Sequence, residues 1–118
     1  MKKATLTEAK WLTYDDPVRS EIDAYFKVTK NREMYYTGTR DNPHAVLCVV
    51  YGNTIPTTTE ELLHLEYGDI AVFYTVWTYG IVPGAGRNII NDVWSMLKER
   101  GLCNRYVTMS PKTYMARK

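Results

Sequence analysis

The chain has no long hydrophobic run. Apolar residues make up 45% of its 118 positions, yet no uninterrupted stretch approaches the ~18 residues that a membrane-crossing helix needs. The N-terminus begins Met1-Lys2-Lys3, and no apolar signal-like segment follows it. The expectation is a cytoplasmic protein with no membrane partner. Cysteine is scarce: Cys48 falls in a strand-like run, Cys103 in a loop, and no Cys-x-x-Cys spacing occurs. Reduced, inert thiols are therefore expected rather than a disulfide framework. The two histidines, His44 and His64, form no ligand spacing with those cysteines, so no metal is expected. Ser110 and Cys103 lack the flanking context of a nucleophile. Charge of one sign is lacking too. A net charge of +2 argues against a dedicated nucleic-acid binder, and the tyrosines are scattered rather than interleaved with basic residues as a stacking platform requires.

What remains is one domain, residues 1–118, long enough for a single core. Ala4 to Leu12 reads as a first strand. Asp16-Pro17 reads as an N-cap followed by proline at the first helical position. Val18, Ile22, Tyr25 and Phe26 give that helix an apolar face, and it should end near Lys30-Asn31. Glu33 to Arg40 and Ala45 to Tyr51 are strands joined by the turn at Asp41-Asn42-Pro43. Thr59 can cap a short helix through Leu65. Ile70 to Tyr79 is apolar, aromatic and β-branched, the composition of a strand. Alternation along it sets Tyr74 and Thr78 on one face and Trp77 and Tyr79 on the other. Ile90, Val93, Trp94 and Leu97 then recur at helical spacing up to a stop at Gly101, and Arg105 to Ser110 looks like a further strand, with a helix beginning at Pro111 or Lys112.

The segment Val82-Pro83-Gly84-Ala85-Gly86-Arg87-Asn88 lies between the central strand and the long helix. Two glycines let the backbone approach a ligand, and the helix start presents unpaired N–H groups at its positive end. That geometry holds phosphate. The competing reading is a tight strand-to-helix turn with no ligand. No Gly-Lys-Ser/Thr ending is present, as a Walker loop needs, and Ile89 stands where a dinucleotide fingerprint needs a small residue. Lys98, Arg100, Arg105, Lys112, Arg117 and Lys118 face the single acid Glu99 near the C-terminus. They are either a solvated helix end with a basic tail or an attraction for cofactor phosphates.

Strand, Gly-x-Gly-Arg turn, amphipathic helix and strand, in that order over residues 70–118, resemble the acyl-CoA-binding motif of the GNAT superfamily of N-acetyltransferases. Gly84 and Gly86 match the glycines of its Gln/Arg-x-x-Gly-x-Gly/Ala signature, Val76 falls at the strand valine, and Ala116 matches a small residue after the next strand. Ile81 replaces the Gln/Arg, and Thr113 stands where Asn is frequent. The resemblance implies an α/β fold, a GNAT-like mixed sheet flanked by helices and lacking the last strands. It implies an acetyl-CoA-dependent transfer to an amine of a small molecule or protein. Backbone groups at Val76 and at Gly84, Ala85, Gly86, Arg87 and Asn88 would hold the cofactor.

The chemistry then needs a base, a donor to the carbonyl oxygen and an acid for the departing sulfur. Glu66 and Asp69, at the entrance to the central strand, are base candidates, or ordinary turn residues. His64 is a further candidate by its titration range. The family tyrosine would fall beyond Lys118, which leaves Tyr114 as the nearest candidate acid, on a helix. The short C-terminus also keeps other readings open: a catalytically silent module of this fold, or a small inhibitory protein of viral or mobile-element origin, either one binding a protein partner. An uncovered edge near residues 103–110 would recruit a second copy of the chain or another protein.

Overall fold

The computed structural model describes residues 1–109 and 114–116. Strand β1 (Lys2–Lys3) leads into helix α1 (Leu6–Thr13), then α2 (Ala24–Val28). A hairpin of β2 (Arg32–Gly38) and β3 (Pro43–Gly52) follows, then the one-turn α3 (Thr59–Leu63) and the central strand β4 (Ile70–Thr78). Helix α4 (Ala85–Glu99), β5 (Arg105–Thr108) and β6 (Tyr114–Met115) complete the chain. The sheet runs β1-β2-β3-β4-β5, antiparallel up to β4, with β5 parallel to β4. This is the expected α/β fold, an open mixed sheet flanked by helices, and it is consistent with a GNAT-like fold.

Two apolar cores lie on the two faces of the sheet. On one face Ala9 and Leu12 of α1, Ala24 of α2 and Leu62 of α3 pack on Met34, Val46, Cys48, Tyr74 and Trp77. On the other, Ala85, Ile89, Val93 and Leu97 of α4 recur at helical spacing and cover Leu47, Val49, Phe73 and Val76. Burial of Cys48 pushes its thiol well above the ordinary range, so it is an apolar core residue rather than a reactive one.

The first third departs from the sequence reading. Ala4 to Leu12 is mostly helix, because Thr5 and Glu8 form a reciprocal capping box: Glu8 N–H donates to Thr5 Oγ1 (3.2 Å) and Thr5 N–H to Glu8 Oε1 (3.0 Å). Asp16 caps a turn instead of a long helix. Its Oδ1 accepts the N–H groups of Val18 and Arg19, both at 2.9 Å. The helix that follows begins only after Asp23, whose carboxylate accepts Phe26 N–H at 2.7 Å, and it leaves Tyr25 exposed. Lys30, at φ 58°, lies beyond its end.

The face assignment along β4 also changes. Cys48 pairs with Thr75 and Val49 with Phe73, so Tyr74 is an extra residue, a β-bulge. One inserted residue reverses the parity of everything after it. Tyr74 and Trp77 therefore share the core under α1 and α2, not opposite faces. At the C-terminal end, Tyr114 lies in a strand rather than on a helix, and its backbone is opposite Trp77 in a parallel pairing with β4. The helix start expected at Pro111 or Lys112 lies outside the described residues, as do Thr113, Arg117 and Lys118.

Candidate functional site between strand β4 and helix α4

β5 follows β4 only as far as Phe73, whose carbonyl accepts Met109 N–H at 3.1 Å. β6 takes up the same edge at Trp77 and Thr78, where Thr78 C=O accepts Ala116 N–H at 2.7 Å. Between these bonds the edge of β4 has no ladder partner among the described residues. Val76 shares the α4 face with Phe73, and strand geometry then turns its backbone N–H toward the β5 side, as for Phe73. That N–H has no ladder partner among the described residues.

Val76 and Thr78 line a cleft of about 820 Å³. Its walls include Val76 and Thr78 of β4, Gly84 and Arg87 at the start of α4, Tyr106 of β5 and Met115 of β6. Tyr106 is fixed by aromatic contacts: its ring stacks on Phe73 (5.1 Å between centroids, 20° between planes) and meets Trp94 of α4 at the same distance.

Gly80 and Gly84 both take positive φ, 73° and 74°, which side chains resist. At Gly84 this conformation lets the chain enter α4 without a side-chain cap. Ala85 N–H donates to Val82 C=O (3.3 Å) and Asn88 N–H to Gly84 C=O (3.0 Å). The N–H groups of Gly86 and Arg87 have no acceptor among the described residues. The first turn carries no acid, and the Arg87 side chain is exposed at the rim. A helix start with free donors and an adjacent cation attracts an anion.

The expected residues divide accordingly. Val76, Gly84, Ala85, Gly86 and Arg87 all line the cleft. Asn88 does not line it, and its N–H is engaged by Gly84 C=O; the donors without an acceptor among the described residues are those of Gly86 and Arg87. Glu66 and Asp69 are exposed beside the start of β4, whereas the glycine turn follows its end. The two are therefore roughly 25–30 Å apart along the strand at about 3.3 Å per residue. Asp69 is occupied with Asn104, through its side chain to Asn104 Nδ2 and through its carbonyl to Asn104 N–H. His64 is exposed at the end of α3. Lys98 and Arg100 stand at the C-terminal end of α4, roughly 20 Å from its start, where they suit the helix dipole rather than a cleft anion. Sequence reasoning missed the Phe73–Tyr106–Trp94 stack, for which the aromatic spacing alone is no signal. Among the described residues no group of three or more His, Cys, Asp or Glu could hold a metal ion, and no helix is long and apolar enough to cross a membrane.

The fold and cleft define an α/β domain whose long helix starts beside the edge of its central strand. No protein-family model matches the chain, and no curated protein matches it by sequence. Solved structures do. Malonyl-CoA decarboxylase from Agrobacterium vitis superposes with a TM-score of 0.78 at 17% identity, over 93% of this chain and 32% of that one. Malonyl-CoA decarboxylase from Cupriavidus metallidurans gives 0.61 at 17%, over 91% and 29%. A transcriptional regulator from Bacillus halodurans C-125 gives 0.61 at 18%, over 94% and 81%. The chain thus spans about a third of the length of the two decarboxylases. At these identities the likeness speaks for the fold.

Proposed function

We propose that the cleft binds the pantetheine and pyrophosphate of an acyl-CoA, and that the chain is a GNAT-like N-acyltransferase carrying an acetyl group from acetyl-CoA to an amine. The observation that carries this reading is the pairing in one cleft of two sets of donors that have no acceptor among the described residues. Gly86 and Arg87 N–H groups sit at the helix start, and the Val76 N–H lies on the edge of β4 between its pairings with β5 and β6. The first suits a pyrophosphate; the second suits the thioester carbonyl oxygen as charge builds on it. Two of the similar folds are malonyl-CoA decarboxylases, which supports a CoA-type ligand. Holding amine and thioester together supplies much of the remaining rate.

A second reading is favoured by the placement of Glu66 and Asp69, which leaves the cleft without either expected base. In it the domain is catalytically silent and binds a protein partner. In either reading the short β5 at the sheet edge is where a second copy of the chain or another protein would add, and light scattering at tens of micromolar reads this. Calorimetric titration with acetyl-CoA tests the cofactor. Absence of heat at high micromolar ligand ends the first reading, and binding without acetylation of any amine in a mixed panel favours the second.

A further inference from the structure

The bulge at Tyr74 lies in the strand that borders the cleft, and it is held from the opposite face. Arg19 donates Nε–H to Tyr74 C=O at 3.0 Å and Nη1–H to Thr59 Oγ1 at 2.7 Å, tying the bulge to the start of α3. The Thr75 hydroxyl donates to Asp16 Oδ1 at 3.0 Å. The other Asp16 oxygen receives Lys27 Nζ at 3.0 Å, and that ammonium also donates to Arg19 C=O at 3.1 Å. Asp16, Lys27 and Thr75 are each 0% exposed.

Burying two charges to fill space is a costly solution, since apolar side chains of similar volume do so more cheaply. The cluster does something apolar groups cannot. A bulged carbonyl has left the ladder and needs a donor, and Arg19 supplies it. Two consecutive bulge residues are thereby fixed, Tyr74 through its backbone and Thr75 through its side chain. The parity of the strand depends on that bulge. Without it, every residue from Thr75 onward would exchange faces, and the Val76 N–H would turn toward β3, away from the cleft.

We infer that Arg19, held by Asp16 and Lys27, is a positioning residue for the cleft: it keeps the β4 bulge in place and so aims the Val76 N–H at the bound ligand. The effect on ligand rests on the acyl-CoA reading; the effect on Val76 does not. Arg19 touches the bulge and not the cleft, as it is absent from the cleft walls.

The test uses the full ¹⁵N-labelled chain with Arg19→Met, which keeps the stem and removes the donors, and Arg19→Lys, which restores one. Thr75→Val, which deletes only a hydroxyl, stands in if Arg19→Met fails to fold. In the folded Arg19→Met chain the Val76 amide resonance is expected to shift and acetyl-CoA affinity to fall about tenfold, with partial recovery in Arg19→Lys. A Val76 resonance unchanged in Arg19→Met, or in Thr75→Val where that variant replaces it, overturns the inference, as does a shifted resonance with full affinity. If the unaltered chain does not bind acetyl-CoA and the resonance still shifts, the acyl-CoA reading fails and the clamp on the bulge stands.

Discussion

Lys27 Nζ lies 3.0 Å from Asp16 Oδ2, and neither side chain is exposed to solvent. Lys27→Met would leave the Asp16 carboxylate buried without its counter-charge. A loss of about 3–5 kcal/mol is expected, read from urea unfolding. A loss below about 1 kcal/mol, the scale of a surface pair, would mean that the pair is solvated in solution.

Arg87 is the cation beside the Gly86 and Arg87 N–H groups, which have no acceptor among the described residues. Arg87→Glu should weaken acetyl-CoA binding by about tenfold or more, since a charge-assisted contact is replaced by a repulsive one. The difference from the unaltered chain should shrink as salt is raised. Calorimetry at two ionic strengths checks both parts. Equal affinities at low salt would remove the anion from this end of the helix.

Two glycines with nearly the same φ should tolerate alanine differently. A Cβ on Gly84 meets nothing within 4 Å, so Gly84→Ala carries only the conformational cost of about 1–2 kcal/mol. A Cβ on Gly80 would approach Met115 Cε to 2.6 Å, adding a rearrangement of that exposed side chain to the same strain. Thermal melts of the two variants should rank Gly80→Ala as the less stable, and the reverse order would refute the packing of Met115 over the loop.

Tyr36 donates its hydroxyl to Glu8 Oε2 at 2.6 Å. That hydrogen bond, then burial, raises its pKa from 10.0 to about 12. Because the folded state holds the proton more tightly, this stabilisation is complete below pH 10 and is lost as the pH rises toward about 12. Tyr36→Phe should therefore flatten stability against pH across that window. Urea midpoints at several alkaline pH values measure it, and a slope unchanged by the substitution would contradict the contact.

Long, uniformly patterned segments were legible in the sequence, and short segments with tertiary tasks were not. β3, β4 and α4 declare themselves because each buries a continuous face, and the Gly84–Gly86 turn is marked by its own residue types. For α1 the signals were present in the Thr5–Glu8 box and in Leu6, Ala9 and Leu12, but they compete with a composition that also suits a strand. Asp16 looks like a helix cap and does accept two backbone N–H groups. Its larger commitments, to Lys27 and Thr75, cross the fold and leave no local trace. The bulge at Tyr74 is equally silent, since nothing in an apolar run shows which residue its neighbour will skip. Glu66 and Asp69 lie close to the central strand in sequence, but the direction of that strand carries them to the end away from the cleft.

The mixed direction of the sheet has a kinetic consequence. The β2–β3 hairpin closes through residues 39–42, whereas β5 reaches β4 only after the chain has traversed residues 79–104. Loop-closure entropy favours the short connection, so the antiparallel strands should assemble first and the parallel partner should dock late. The cleft then does not exist in the rate-limiting ensemble. A ligand seated there should slow unfolding while leaving the folding rate unchanged, and stopped-flow measurements with and without acetyl-CoA would show an altered unfolding arm alone; a faster folding arm would place the cleft in the nucleus.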